Sequence, residues 1–422
     1  MSVRTEGGPP QPRPPEPSPA GSSRLTGDAT AGSPGASRDD IRRFLRGVDL
    51  GPVPVLLGLA AIWIVFQALN PNYLSSRNLS NIVLQMGVTG LLALGVVLVL
   101  LIGEIDLSLG ATAGVSAVVM GVGLGDRGWP TALALLAALA TGALIGLLQG
   151  AVVVLVGVPS FIVTLGGLLA WQGVQLGLLG DRGERRVTDP FVRGIASEYL
   201  AQSLAWAMLA AALTVFAAVQ FARRRSRTTA GLQVDHAGML AARIVLTAGV
   251  GVAVVAYLHQ YFGVPWLLII LLAITWLLTL LTRRTPLGRH LYAIGGNAEA
   301  ARRAGIPVDR TRLLVFTLTS TLAGLAGIVS ASRQFSVSSG TGGGTLLLEA
   351  IAAAVIGGTS LFGGRGRIYQ ALLGALVIVS VSNGLDLLGE PSSVKNVATG
   401  VILVLAVSLD SVTRKRRATA GT

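Results

Sequence analysis

Five polar residues stand where the chain is otherwise apolar, and their types limit what they can do. Glu104 and Asp106 sit at the junction of two apolar runs, Glu349 opens another, and Asn383 and Asp386 lie near the end of a further one. A carboxylate at the middle of a bilayer costs at least about 2.5–3.5 kcal/mol, so such groups face a polar path or a partner. One reading makes all five part of a translocation path. The other makes them helix-end residues, with Asp106 and Ser108 as N-caps of the run that follows. Asp410, beside basic residues at the end of a run, reads as a boundary charge.

A second polar group is an island between residues 283 and 312. Tyr292–Ile306 holds Gly295-Gly296-Asn297, then Glu299-Ala300-Ala301, then Gly305, among Arg283, Arg284, Arg289, Arg302, Arg303, Arg310 and Arg312. Ala298–Ala304 consists of good helix formers, and Gly305 suits the position just past a helix end. The plain reading is a positive-inside loop that also touches anionic lipid. The specific reading is a short docking helix, since the stretch is longer than topology requires.

Catalytic constellations are missing. The only lysines are Lys395 and Lys415, so there is no Gly-x-x-x-x-Gly-Lys-Ser/Thr loop to cradle ATP phosphates. There is no Gly-x-Ser-x-Gly elbow. Cysteine is absent, and His236, His259 and His290 are scattered without metal-binding spacing. The chain is therefore expected to be no enzyme and to bind no cofactor of its own.

The elements that position these residues follow from composition. Of 422 residues, 52% are hydrophobic and 13% charged, against roughly 25% charged in soluble domains. Repeated apolar runs of bilayer length point to spanning helices, because a chain in lipid must satisfy its own backbone. The expected class is all-α, a polytopic membrane bundle. Runs at roughly 51–69, 82–102, 107–125, 130–156, 159–180, 199–221, 239–258, 264–282, 312–331, 346–362, 368–389 and 396–410 suggest about 12 spans. Run lengths allow ten to thirteen, and an even number suits the charges best.

The net charge of +13 would suggest nucleic acid in a soluble protein. Here it sits in clusters beside apolar runs and reads as positive-inside topology, with no nucleic acid partner. Both termini are then cytoplasmic, with the 181–198 loop outside. That loop strains the charge rule: four arginines stand beside Asp181, Glu184, Asp189 and Glu198. Residues 1–49 form a Pro/Gly/Ser-rich tail ending in Arg38, Arg42, Arg43 and Arg46, and they lack the composition to bury a core. The membrane bundle is expected over 50–411 and a basic tail over 412–422. Gly142, Gly146 and Gly150, and likewise Gly173 and Gly177, form small-residue ridges for close helix approach. Ile102–Gly110 echoes Ile356–Gly364, each ending one apolar run and opening the next, as in transporters built from repeats.

The ordered segments Gly103–Gly110, Val158–Gly166, Thr285–Arg289, Tyr292–Ile306, Glu349–Gly364 and Asn383–Leu388 together resemble the permeases of monosaccharide ABC importers, the ribose/xylose group, over about residues 50–410. Glu299-Ala300-Ala301, three residues, then Gly305 resembles the EAA-type loop that docks on the ATPase subunit. The section 181–282 is more like the xylose-type members. Glu104 stands where many relatives carry glycine. The resemblance implies coupling through Gly295, Asn297, Glu299, Ala300, Ala301 and Gly305, and a path near Glu104, Asp106, Glu349, Asn383 and Asp386. It implies a multi-pass protein of the bacterial plasma membrane, working as a homodimer. Its partners would be a separate ATPase that uses the ATP and an extracytoplasmic sugar-binding protein, and its cargo a pentose such as xylose. The alternatives are a branched-chain amino acid as cargo, an ion-coupled secondary transporter using Glu104, Asp106 or Asp386, and a membrane-embedded enzyme.

Overall fold

A computed structural model describes residues 53–232 and 237–420. The tail over 1–49, with Arg38, Arg42, Arg43 and Arg46, and His236 lie outside the described residues. So do the side chains of Arg414-Lys415-Arg416-Arg417 and Asp410.

The chain is a bundle of helices. They are α1 (Val53–Leu69), α2 (Ser76–Leu101), α3 (Leu109–Gly125), α4 (Thr131–Ala151), α5 (Ser160–Leu179), a short α6 (Pro190–Ser197), α7 (Gln202–Thr229), α8 (Ala237–Leu258) and α9 (Trp266–Arg284). After them come two short helices, α10 (Pro286–Gly296) and α11 (Ala298–Arg303), then α12 (Val308–Gln334), α13 (Leu346–Ile356), α14 (Ile368–Leu387) and α15 (Ser392–Ala420). A π-helical turn, Val152–Val156, continues α4. Two short strands, β1 (Glu184–Arg186) and β2 (Ser336–Ser338), pair antiparallel with Arg185 opposite Val337.

Each of the twelve expected runs falls on one helix. Among the described residues, eight helices are long and apolar enough to cross a membrane by length and composition, and Val53–Leu69, Leu109–Gly125, Leu346–Ile356 and Ser392–Leu405 are shorter apolar stretches. The run expected over 346–362 is helical only to Ile356. Its 11 residues rise about 16 Å at 1.5 Å each, half the bilayer core.

The stretch before this helix, 339–345, is irregular chain, partly covered by protein. Thr341 is buried. A Cβ added at Gly342 would run into the Gly110 carbonyl. Gln175 of α5 donates its amide N–H to the carbonyls of Ser338 at 2.8 Å and Thr341 at 3.0 Å. Non-helical backbone at membrane depth survives only with such partners. The 336–356 stretch is thus a strand, a turn segment and a short helix in place of one long helix.

Burial separates core from periphery. In its most apolar window α2 is 83% buried, and α12 and α14 are each 61%, whereas α7 and α8 are only 6%. Small residues bring α4 onto α12: Cβ atoms at Gly142 and Gly146 would strike the backbone oxygens of Ser320 and Phe316. Close approach of this kind replaces the hydrophobic drive that lipid cannot supply. Gly173 and Gly177 differ, since no atom lies within 4 Å of a Cβ at either position. Their ridge lies open on α5 within a single chain.

The two echoing segments meet. The Gly364 N–H donates to the Leu101 carbonyl at 3.0 Å, and Gly363 lies against Gly103. Both glycines of the first pair of turns, Gly103 (φ 77°) and Gly358 (φ 88°), have left-handed backbone just past a helix end.

The loop that strained the charge rule uses its charges locally. Arg185 pairs with Asp126 at 2.9 Å. Asp189 caps α6 by accepting from the Val192 N–H at 2.9 Å, and accepts from Thr131 at 2.6 Å. Arg193 lies over the Phe335 ring.

Candidate functional site: a docking helix and a polar pocket at opposite ends

The 283–312 island folds as α10 and α11 set against one end of the bundle. Asn297 starts α11: its side chain accepts from the Ala300 N–H at 2.9 Å. That cap satisfies one of the amide groups a helix start leaves without a partner. The far end closes as a Schellman motif. The Gly305 N–H reaches the Arg302 carbonyl at 3.0 Å, and the Ile306 N–H reaches Ala301 at 3.1 Å. Gly305 has φ 81°, which glycine alone adopts without strain.

The six residues that the sequence offers for coupling divide by position. Glu299, Ala300 and Gly305 are exposed, and Glu299 bonds Arg303 at 3.1 Å along the same helix. An exposed pair of this kind is worth about 0–1 kcal/mol, so Glu299 stays available to a partner. Ala301 is buried and fixes α11 to the core cluster. Gly295 is an internal contact: a Cβ there would overlap the Leu101 carbonyl and the Gly364 amide, both backbone. Tyr292 supports the same junction by donating its hydroxyl hydrogen to the Gly366 carbonyl at 2.9 Å. Through Gly295 and Tyr292, α10 rests on the end of α2 and on the 357–367 loop that leads into α14.

Glu104 belongs to this end. Its carboxylate meets Arg312 at 2.9 Å without the alignment of a hydrogen bond, and their side chains are 13% and 26% exposed. Removing one partner of a half-buried ion pair leaves the other charge uncompensated. Glu104→Gln is therefore expected to lower the thermal midpoint of the purified protein, at a cost of about 1–3 kcal/mol. The swapped double variant Glu104→Arg with Arg312→Glu should recover most of it. No loss on Glu104→Gln would mean that the pair does not hold α12 to this junction.

Asp106 lies two residues on and is 2% exposed. Its Oδ1 accepts from the Ser108 amide at 2.8 Å and from the Ser108 hydroxyl at 2.7 Å. This is an Asx turn leading into α3. Ser108 occupies the N-cap position but makes no side-chain cap bond, so the capping reading holds for the turn and not for the first amides of α3. In this loop, outside the helices, burial pushes the Asp106 carboxyl up to about 6 against the two Ser108 bonds.

The remaining residues expected along a path lie at the other end. Asn383 is buried on α14 and accepts from the Asn78 amide of α2 at 2.7 Å. Asp386 pairs with Lys395 of α15, and Glu349 accepts from the Thr345 hydroxyl at 2.9 Å. The structure thus places Glu104 and Asp106 near the α11 end and the other three at the opposite end. The 26 residues of α2, about 39 Å at 1.5 Å each, join the two.

Beside Asn78 opens a pocket of about 700 Å³, lined by residues including Asn72, Arg77, Asn78, Asn81, Tyr199 and Tyr261. Amides, a guanidinium and phenols around one opening suit a ligand rich in hydroxyl groups. Sequence reasoning missed these residues. Their one early signal was Asn383, which stands behind the wall through its bond to Asn78.

The comparisons with known proteins fit this architecture. The xylose transport system permease protein XylH of Escherichia coli (strain K12) is 36% identical over 373 residues, covering 88% of this chain and 94% of the relative. The counterpart from Haemophilus influenzae is 34% identical, covering 88% and 99%. The ribose import permease protein RbsC of Bacillus subtilis (strain 168) is 32% identical over 362 residues, covering 86% and 92%. No solved structure matches the chain. A family described as branched-chain amino acid transport system / permease component matches residues 78–407. The chain belongs to this family of membrane transport permeases.

Proposed function

We propose that this permease carries a monosaccharide, a pentose such as xylose or ribose, into the cell. A separate ATPase supplies the energy, and an extracytoplasmic sugar-binding protein delivers the cargo to a permease homodimer. The observation that carries the reading is α11, a short helix capped at both ends and exposed on one face, braced by α10 against the end of α2 and the 357–367 loop. Such a helix can pass the motion of an attached ATPase into the bundle as a rigid-body displacement.

In this reading the α11 end is cytoplasmic, and the polar pocket opens outside. Sugar enters past Asn72, Asn78 and Tyr261 and leaves near Asp106. The relatives matched over nearly their whole length are xylose and ribose permeases by name, which favours a pentose over the amino acid of the family description. Labelled xylose, ribose and leucine should be offered to cells that depend on this permease and its partners for uptake. Pentose accumulation that persists when the proton gradient collapses and stops when ATP is depleted is expected. Leucine uptake without pentose uptake would overturn the sugar reading, and loss with the gradient alone would overturn the ATP reading.

Orientation is tested separately, helped by the absence of native cysteine. A cysteine replacing the exposed Arg303 should resist an impermeant thiol reagent in intact cells, and one replacing the exposed Ser197 should react. The reverse pattern would invert the topology.

A further inference from the structure

Near the α11 end, buried polar atoms from three elements converge without partners. Gln149 of α4 is 4% exposed and Asp106 is 2% exposed. Both reach the Ser108 hydroxyl, at 3.0 Å and 2.7 Å. That leaves Gln149 Nε2 and Asp106 Oδ2 unpaired, together with the indole Nε1 of Trp171 on α5. Gln149 Nε2 and Trp171 Nε1 both lie beside Gly167, where a Cβ would touch each of them. Buried polar groups normally have partners, and an unpaired one costs about 1–3 kcal/mol.

The free valences are one strong acceptor and two donors. A single hydroxyl group matches that set, donating to Asp106 Oδ2 while accepting from Gln149 Nε2 and Trp171 Nε1. The surface beside it is mixed, with Leu165, Leu169 and Leu176 exposed on the same helix around one polar residue. Gln172 is exposed on α5, and no atom lies within 4 Å of a Cβ at Gly166, Gly173 or Gly177. A glutamine facing acyl chains would be costly, so this face meets protein or an aqueous path.

Resting on the sugar-import reading above, we propose that Asp106, Gln149 and Trp171 form an inner transit site that binds one hydroxyl of the passing monosaccharide and checks its position. Gly167 leaves the room that the amide and the indole need. The site is made for weak, single-group recognition, which lets the sugar leave again.

The test uses the full complex in proteoliposomes, with D-xylose, D-ribose and their monodeoxy analogues each loaded to saturation on the sugar-binding protein. Wild type should carry one monodeoxy analogue about five- to tenfold more slowly than its parent, the effect of one lost hydrogen bond. Trp171→Phe keeps the ring and loses the N–H, and should bring that ratio to within about twofold. Gln149→Met is a second variant that removes donors at similar volume, should Trp171→Phe fail to assemble. An unchanged ratio in a variant that still transports would overturn the proposal and leave these atoms to structural water. Failure of wild type to move any monosaccharide would overturn the sugar reading itself, and this site with it.

Discussion

Gly295→Val should abolish uptake, with a loss of at least about tenfold even where the protein still reaches the membrane. The two atoms that a Cβ would strike are the Leu101 carbonyl oxygen and the Gly364 amide nitrogen. Neither can rotate away as a side chain would. Over-filling of this kind costs about 1–3 kcal/mol or more and is relieved by shifting backbone. The shift would part α10 from the end of α2 and the 357–367 loop, which is the mechanical joint of the account. Uptake and the thermal midpoint of the purified protein are the measurements. Full uptake at an unchanged midpoint would show that α10 moves freely at this contact.

Gly305→Leu should separate coupling from folding. No atom lies within 4 Å of a Cβ at Gly305, so a larger side chain meets no clash. The effect comes from φ 81°, where a side chain costs about 1–2 kcal/mol. That strain works against the Schellman turn that closes α11. Membrane insertion and the bulk midpoint should persist, while uptake falls about tenfold or more and the ATPase co-purifies poorly with the tagged permease. Normal uptake with the ATPase still bound would reduce the 283–312 island to a positive-inside anchor.

Much of this was readable along the chain, and the reasons are physical. Long apolar runs have no alternative to a helix in lipid, so each expected run found its helix. Gly142 and Gly146 marked a helix contact because spacing by four puts small residues on one face. Glu299 to Gly305 announced a short capped helix, since helix formers followed by glycine act locally. What stayed hidden depends on residues far apart in sequence. The broken passage over 336–356 needs Gln175 of α5 to satisfy its carbonyls, and no local signal in α5 marks that partner. Asn78 and Gln149 take their meaning from Asn383 and Ser108, on other segments. The arginines of the 181–198 loop strained the charge rule until Asp126 appeared opposite Arg185.

The most direct measurement of the central claim is sugar accumulation in proteoliposomes holding the permease, its ATPase and its sugar-binding protein, with ATP on the side that the α11 end faces. The account predicts that labelled pentose accumulates only with ATP and only when α11 is intact, and that Gly305→Leu stops accumulation while the liposomes still hold folded permease. Accumulation without the ATPase, or undiminished in Gly305→Leu, would contradict it.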